Sequence, residues 1–238
     1  MRVYLCGLIL LICQMGVCAN QKQLHPHIYC QKKWKELKWE GLKIQILKLR
    51  AEKFPEGKSY TLVIRNCDGS ETEVFNYVAN KKGHLIVDMS DDLKKGIPFA
   101  ITPLRRGEKI SYCMLSQDQT EKYTTSIVPF PIAVSTEQGS VCIELLDVKG
   151  ESFMCVGEGF QPHAEIQVIC QSEQSVHQSL VRINERGGFH CPVYPSVEGK
   201  ESGNAKVVVK TKEGQLSVPF VWGKEAQEFI GAICLQIK

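Results

Sequence analysis

Between Val141 and Trp222 the chain runs in short stretches rich in Val, Ile, Leu and Thr, each closed by a turn signal. This rhythm limits the fold more than any other feature. Seven stretches read as strands: Val141–Val148, Ser152–Val156, Glu165–Cys170, Ser179–Ile183, Gly188–Val193, Ala205–Thr211 and Leu216–Trp222. Arg186-Gly187-Gly188 and Glu213-Gly214 supply turns, because Gly accepts the backbone angles of tight reversals. About seven short strands in roughly a hundred residues are the mark of a sandwich of two antiparallel sheets. Long helical runs are scarce, which excludes the alternating pattern of an α/β fold.

The first half has the same rhythm. Leu42, Ile44 and Ile46 alternate with Lys43 and Gln45, and Tyr60–Ile64 follows a Pro-Glu-Gly turn. Cys67-Asp68-Gly69 is a hairpin signal. Glu73–Val78, a turn over Asn80–Gly83, Leu85–Met89, Phe99–Ile101 and Lys109–Leu115 follow. Pro129-Phe130-Pro131 stiffens a connection and the polar Ser135–Gly139 reads as loop. The expected division is therefore a first sandwich over residues 28–130 and a second over 135–223, in an all-β chain.

Two segments stand outside that division. At the start, Arg2 is followed by the apolar Val3–Cys13 and by Val17-Cys18-Ala19. Residues 1–19 thus read as a secretory signal peptide cut before Asn20. The apolar run is shorter than the ~20 residues a spanning helix needs. A lipoprotein cut before Cys18 is the other reading, although Val17 is a poor fit ahead of the lipidated cysteine. At the far end, Ala226, Phe229, Ile230, Ile233, Cys234 and Ile237 fall at helical spacing and predict an amphipathic helix or tail over 224–238. Its apolar stripe can pack on the protein's own sandwich or lie on a membrane. Its polar face is not the strongly cationic one that membranes select.

After Asn20 the chain keeps Cys30, Cys67, Cys113, Cys142, Cys155, Cys170, Cys191 and Cys234. An even set suits a disulfide framework in an oxidising compartment. Buried free thiols are the alternative. The absence of C-x-x-C in this set argues against a zinc ribbon or a thioredoxin-type site.

Within the second half, Gly157-Glu-Gly-Phe160-Gln-Pro162, the alternating Ile166, Val168 and Cys170, Gly187-Gly188-Phe189 and the run from Gly214 to Trp222 carry a resemblance. Together they resemble exported bacterial proteins built from tandem immunoglobulin-like domains. The likeness is architectural and spans most of the chain after Asn20. It implies two immunoglobulin-like β-sandwich domains. The Cys…Trp…Cys order of antibody domains is absent, since Trp222 follows the strand cysteines. Cys170 shares a face with Ile166 and Val168, and Cys191 with Phe189 and Val193. A disulfide between Cys170 and Cys191 is therefore the pairing to test first.

The remaining distinctive patch is Lys32, Lys33, Trp34, Lys35, Lys38 and Trp39, on a helical turn or an extended basic strand. Cations interleaved with aromatic rings suit an anionic surface, a glycan or nucleic acid. The other reading is that the tryptophans plug the first sandwich and the lysines face water. A net charge of +3 is too small to argue for nucleic acid. Gly57-Lys58-Ser59 lacks the upstream glycine of a phosphate loop, and no G-x-S-x-G occurs. No catalytic residue, cofactor or metal site is assigned. The His25-Pro-His27 pair offers too few ligands for a structural metal.

The functional expectation is a non-enzymatic exported binding or structural protein in the periplasm or at the cell surface. Its partner would be a protein or glycan of the envelope. Membrane contact is expected only through lipidated Cys18 or the C-terminal stripe. A periplasmic chaperone of immunoglobulin type and an unrecognised β-sandwich hydrolase are the alternatives.

Overall fold

A computed structural model describes residues 25–39, 42–87 and 101–237; side chains at 31–39, 42, 43, 74, 75, 87, 101 and 234–237 are outside the description. Residues 1–19, read above as a signal peptide, lie outside the described residues, Cys18 among them.

The described residues form an all-β fold. Its strands are β1 (His27–Trp39), β2 (Leu42–Glu52), β3 (Ser59–Arg65), β4 (Glu71–Ala79), β5 (Leu85–Val87), β6 (Ile101–Arg105), β7 (Ile110–Ser116) and β8 (Lys122–Ile127). Then follow β9 (Ile132–Thr136), β10 (Gly139–Leu145), β11 (Phe153–Glu158), β12 (Glu165–Ser172), β13 (Ser175–Arg182), β14 (Phe189–Val193), β15 (Ser202–Lys210), β16 (Gln215–Gly223) and β17 (Phe229–Ile237). They form four sheets, in the orders β1-β2-β17-β6, β5-β4-β3-β7-β8, β14-β11-β10-β9 and β13-β12-β15-β16.

Each pair of sheets closes over one core. Tyr60, Leu62 and Ile64 of β3 and Tyr112 and Met114 of β7 meet Leu47 and Leu49 of β2 and Leu104 of β6. In the second core Ile143, Phe153 and Phe189 face Val168, Val207, Phe220 and Trp222. Alternation is the cause. In β14, Phe189, Cys191 and Val193 are buried while His190 and Pro192 are exposed, because successive side chains leave opposite faces of a strand. The changeover between cores is abrupt: Phe130 rests on the first core and Ile132 belongs to the second. Ser135-Thr136, expected in a loop, instead end strand β9, which pairs with β10 around Glu137-Gln138.

The predicted C-terminal helix over 224–238 is not formed. A short 3-10 turn covers Lys224–Gln227, and β17 follows. β17 lies parallel to β2 and antiparallel to β6, in the sheet of the first core. The apolar residues that suggested one helical stripe serve different surroundings. Ala226 is buried in the second core, Ile233 in the first, and Phe229 and Ile230 are exposed. A single stripe on one helix cannot meet two separate cores. A strand paired on both sides also suits β-branched Ile, whose stiff side chains fit a pleated surface.

Hydrogen bonds pin this return. Gly223 takes φ +70°, and a Cβ there would run into the Glu201 carbonyl, so the turn requires glycine. Its N–H donates to Gly150 O at 2.7 Å. Arg105 donates through Nε to Gln227 O at 3.2 Å, and its guanidinium lies 4.7 Å from the Phe229 ring centroid. Beside it, Leu145 N–H donates to Gly107 O at 2.8 Å, and Lys109 Nζ meets Glu144 Oε2 at 3.0 Å. Glu108, only 4% exposed, accepts from Arg105 N–H at 2.9 Å and from Cys67 Sγ at 3.4 Å. The two cores are thus joined by a satisfied polar seam.

Candidate binding surface

Edge strands are where a sandwich exposes unpaired backbone groups, and natural edges are blunted by prolines, charges, bulges or brevity. Most edges here follow that rule. β1 carries lysines and a register shift between Lys33 and Glu36. β5 has three residues, β6 contains Pro103, β14 contains Pro192 and β16 contains Pro219.

Three edges lack these devices: β9 with five residues, β8 with six, of which only the terminal Lys122 is charged, and β13, the longest. β13 has eight residues and pairs with β12 in unbroken register from Ser175↔Ser172 to Arg182↔Glu165. It holds no proline, and its one charged residue is Arg182 at the end. Its outer face presents Val176, 57% exposed, and Leu180, 72% exposed. The hairpin that launches it is tight. Glu173 takes φ +51°, a conformation usually left to Gly, and its carboxylate is held by Lys200. Gln178 Oε1 accepts from Gln167 Nε2 of β12 at 3.0 Å, which ties the outer face to its neighbour.

The inner face of β13 opens on a groove. His177 and Ser179 line it with Val168 and Cys170 of β12 and with Cys191, Pro192 and Val193 of β14. Tyr194, 60% exposed, stands at the rim. The groove has a volume of about 290 Å³.

The structure therefore places both singled-out cysteines at this groove, on opposing sheets, as free buried thiols. It adds a third. Cys155 of β11 is the direct cross-strand partner of Cys191 and is buried in the same core. Only the inward alternation of Phe153 and Cys155 in the sequence hinted at it. Burial pushes the Cys170 thiol up to about 11 and holds Cys155 far above the usual range. Cys191 is also raised by burial, against a hydrogen bond from Ser179. Raised thiols are neutral at pH 7 and poor nucleophiles. Cys142 lies on the other face of β10, half-buried, with its thiol raised to about 11 by burial.

The basic aromatic patch is an extended strand. Lys32, Lys33, Trp34, Lys35, Lys38 and Trp39 all lie in β1, an edge strand, with Lys33 opposite Ile46 and Lys38 opposite Lys43 of β2. Their side chains fall outside the description. Lys58, from the segment weighed as a phosphate loop, precedes β3 and reaches Glu121 Oε1 at 2.8 Å. Among the described residues no helix is long and apolar enough to cross a membrane.

No family model and no curated protein matches the chain. Among solved structures, it is similar to a tetra-tandem repeat from the extending region of a large adhesion protein, at 6% identity and a TM-score of 0.27. That match covers 73% of this chain and 44% of the other, so the chain spans under half of that segment. It is also similar to a two-domain fibronectin type III segment of chicken tenascin, at 11% identity and a TM-score of 0.24, covering 84% and 99%.

Proposed function

We propose that this is an exported, non-enzymatic binding protein of two immunoglobulin-like domains, which takes up an extended polypeptide segment along the free edge of β13. The carrying observation is the length of that edge without proline, bulge or internal charge. An incoming strand gains backbone hydrogen bonds all along it, and alternate side chains reach the groove beside Cys170 and Cys191. The raised thiols support a binding role over a catalytic one. Residues 1–19 act as the signal peptide, so the contact is made in the periplasm or at the cell surface. In this reading residues 28–130 make the first domain, completed by β17, and 135–223 the second. The lysines and tryptophans of β1 offer a second contact strand for a protein or glycan.

The test uses a blocked octapeptide of alternating Thr and Val as the probe. Hydrogen exchange of the β13 amides is expected to slow on its addition, and Val176→Lys to reverse the effect. Unchanged exchange along β13 would overturn the binding edge. The intact mass of the protein from its native host is expected to begin at Asn20, and a mass retaining residues 1–19 would overturn export.

A further inference from the structure

We infer that the strand taken up by β13 is the β13 of a second copy, paired antiparallel in a register centred on Gln178. This rests on the reading of β13 as the binding edge and goes on to name its occupant.

Parity is the first argument. On a free edge every second residue turns its N–H and C=O outward. When a strand pairs antiparallel with its own copy, hydrogen-bonded partners must both belong to the outward set. The numbers of facing residues must then differ by an even amount, so outer-face residues meet only outer-face residues.

Side-chain fit selects among the registers left. The outer face runs Val176, Gln178, Leu180, Arg182. Centring on Gln178 puts Val176 opposite the copy's Leu180 at both ends and Gln178 opposite itself. The two most exposed apolar side chains of the strand thus cover each other across the two-fold axis. Centring on Ser179 would set Arg182 against Val176, and centring on Leu180 would set Arg182 against Gln178. Neither covers Val176 with an apolar partner.

The surroundings fit the same occupant. Ile169 of β12 and Val208 of β15 are cross-strand partners next to Gln178 on this outer face, only 7% and 8% exposed. Leu180 and Val176 thus extend an apolar band toward the edge. The uncharged run from Ser175 to Val181 sets no like charges against each other when it meets its own copy. Pairing would join two four-stranded sheets into one continuous sheet. The interface is isologous and closes as a dimer.

Sedimentation of the mature protein and a mixing experiment test this. Val176→Lys and Leu180→Glu each place two charged residues against apolar partners in the homodimer. Each is expected to weaken self-association by about tenfold. Mixed together, the two variants form a heterodimer with one Lys–Glu pair and one native Leu–Val pair, and association is expected to return. Gln178→Cys is expected to add a reducible dimer to the wild-type pattern, while Leu180→Cys adds none. Either variant can be compared with wild type in thermal unfolding, since both positions are exposed. A wild-type monomer at every concentration, with β13 still protected by the Thr-Val octapeptide, would overturn the second copy and leave the binding edge standing. A monomer without that protection would overturn both. Dimers that ignore the mixing rule would overturn the register.

Discussion

Replacing Ile233 with alanine tests the return of β17 directly. Ile233 is 1% exposed and sits in the first core, opposite Gln45 of β2 and Thr102 of β6. The change removes three carbon groups, worth about 0.8 kcal/mol each in transfer, or roughly 2.4 kcal/mol. The cavity left behind adds to this, and core Ile→Ala changes fall at about 2–5 kcal/mol. A loss of about 3 kcal/mol is expected. Ile230, three residues earlier, is 41% exposed, so Ile230→Ala should cost under about 1 kcal/mol. On a helix the two would share one stripe and cost alike. Urea unfolding gives the totals, and hydrogen exchange read by mass spectrometry locates them. Protection should fall in β2, β3 and β6 while β12 and β15 keep theirs, although Ile233 follows the whole second core in sequence. Equal costs for the two variants, or first loss in β12 and β15, would refute the placement of β17.

The remaining predictions concern packing, pH and sulfur. Gly157 faces Phe189 across the β11–β14 pair, and a Cβ there would overlap the Phe189 ring, so Gly157→Ala is expected to cost about 3 kcal/mol or more in urea unfolding. Thiols raised by burial give a definite sign with pH: Cys30 and Cys142 stand near 11 and Cys67 near 12, above the ~8.5 of an unfolded chain. Their contribution to stability is full below about pH 8.5 and is lost as pH rises toward 11–12, because the unfolded state sheds those protons first. Unfolding midpoints between pH 8 and 11 check this, and a flat profile would contradict it. In protein from an oxidising compartment, peptide mapping is expected to find Cys170 bridged to Cys191 across the sheets; a Cys155–Cys191 bridge would show the adjacent strand winning instead.

The strands of the second half were legible because each buries one face, and alternation such as Phe189, Cys191, Val193 reports that directly. The turns at Gly69, Gly83 and Gly187 were legible because each needs a positive φ. Three features were hidden for physical reasons. β17 is paired on both sides, and Gly231, Ala232 and Ile233 are buried in succession, so it lacks the polar alternation that marks a one-faced strand, and its Ile spacing matched a helix. β9 is short and ends in polar residues, which made it look like linker. In the first half of β13, Val176–Gln178 are exposed on both faces and so carry no burial signal. The edge proposed for binding was missed for the very property that makes it an edge. Cys170 and Cys191 were each legible as inward-facing residues, and both lie in the core as free thiols. The third thiol needed the register of β11 against β14.

The parallel pairing of β17 with β2 ties residues 231–237 to residues 43–49. Under the proposed export, a chain delivered in sequence order offers the first sheet an empty slot between β2 and β6 until β7 through β16 have arrived. The second sandwich has all its strands in one contiguous stretch and can close alone. The first must wait, its slot open to any stray β-strand nearby. A sheet that cannot close early keeps its own half of the chain open, which suits the proposed export. Folding of this protein is therefore expected to begin in the part made later, and to end by sealing the part made first.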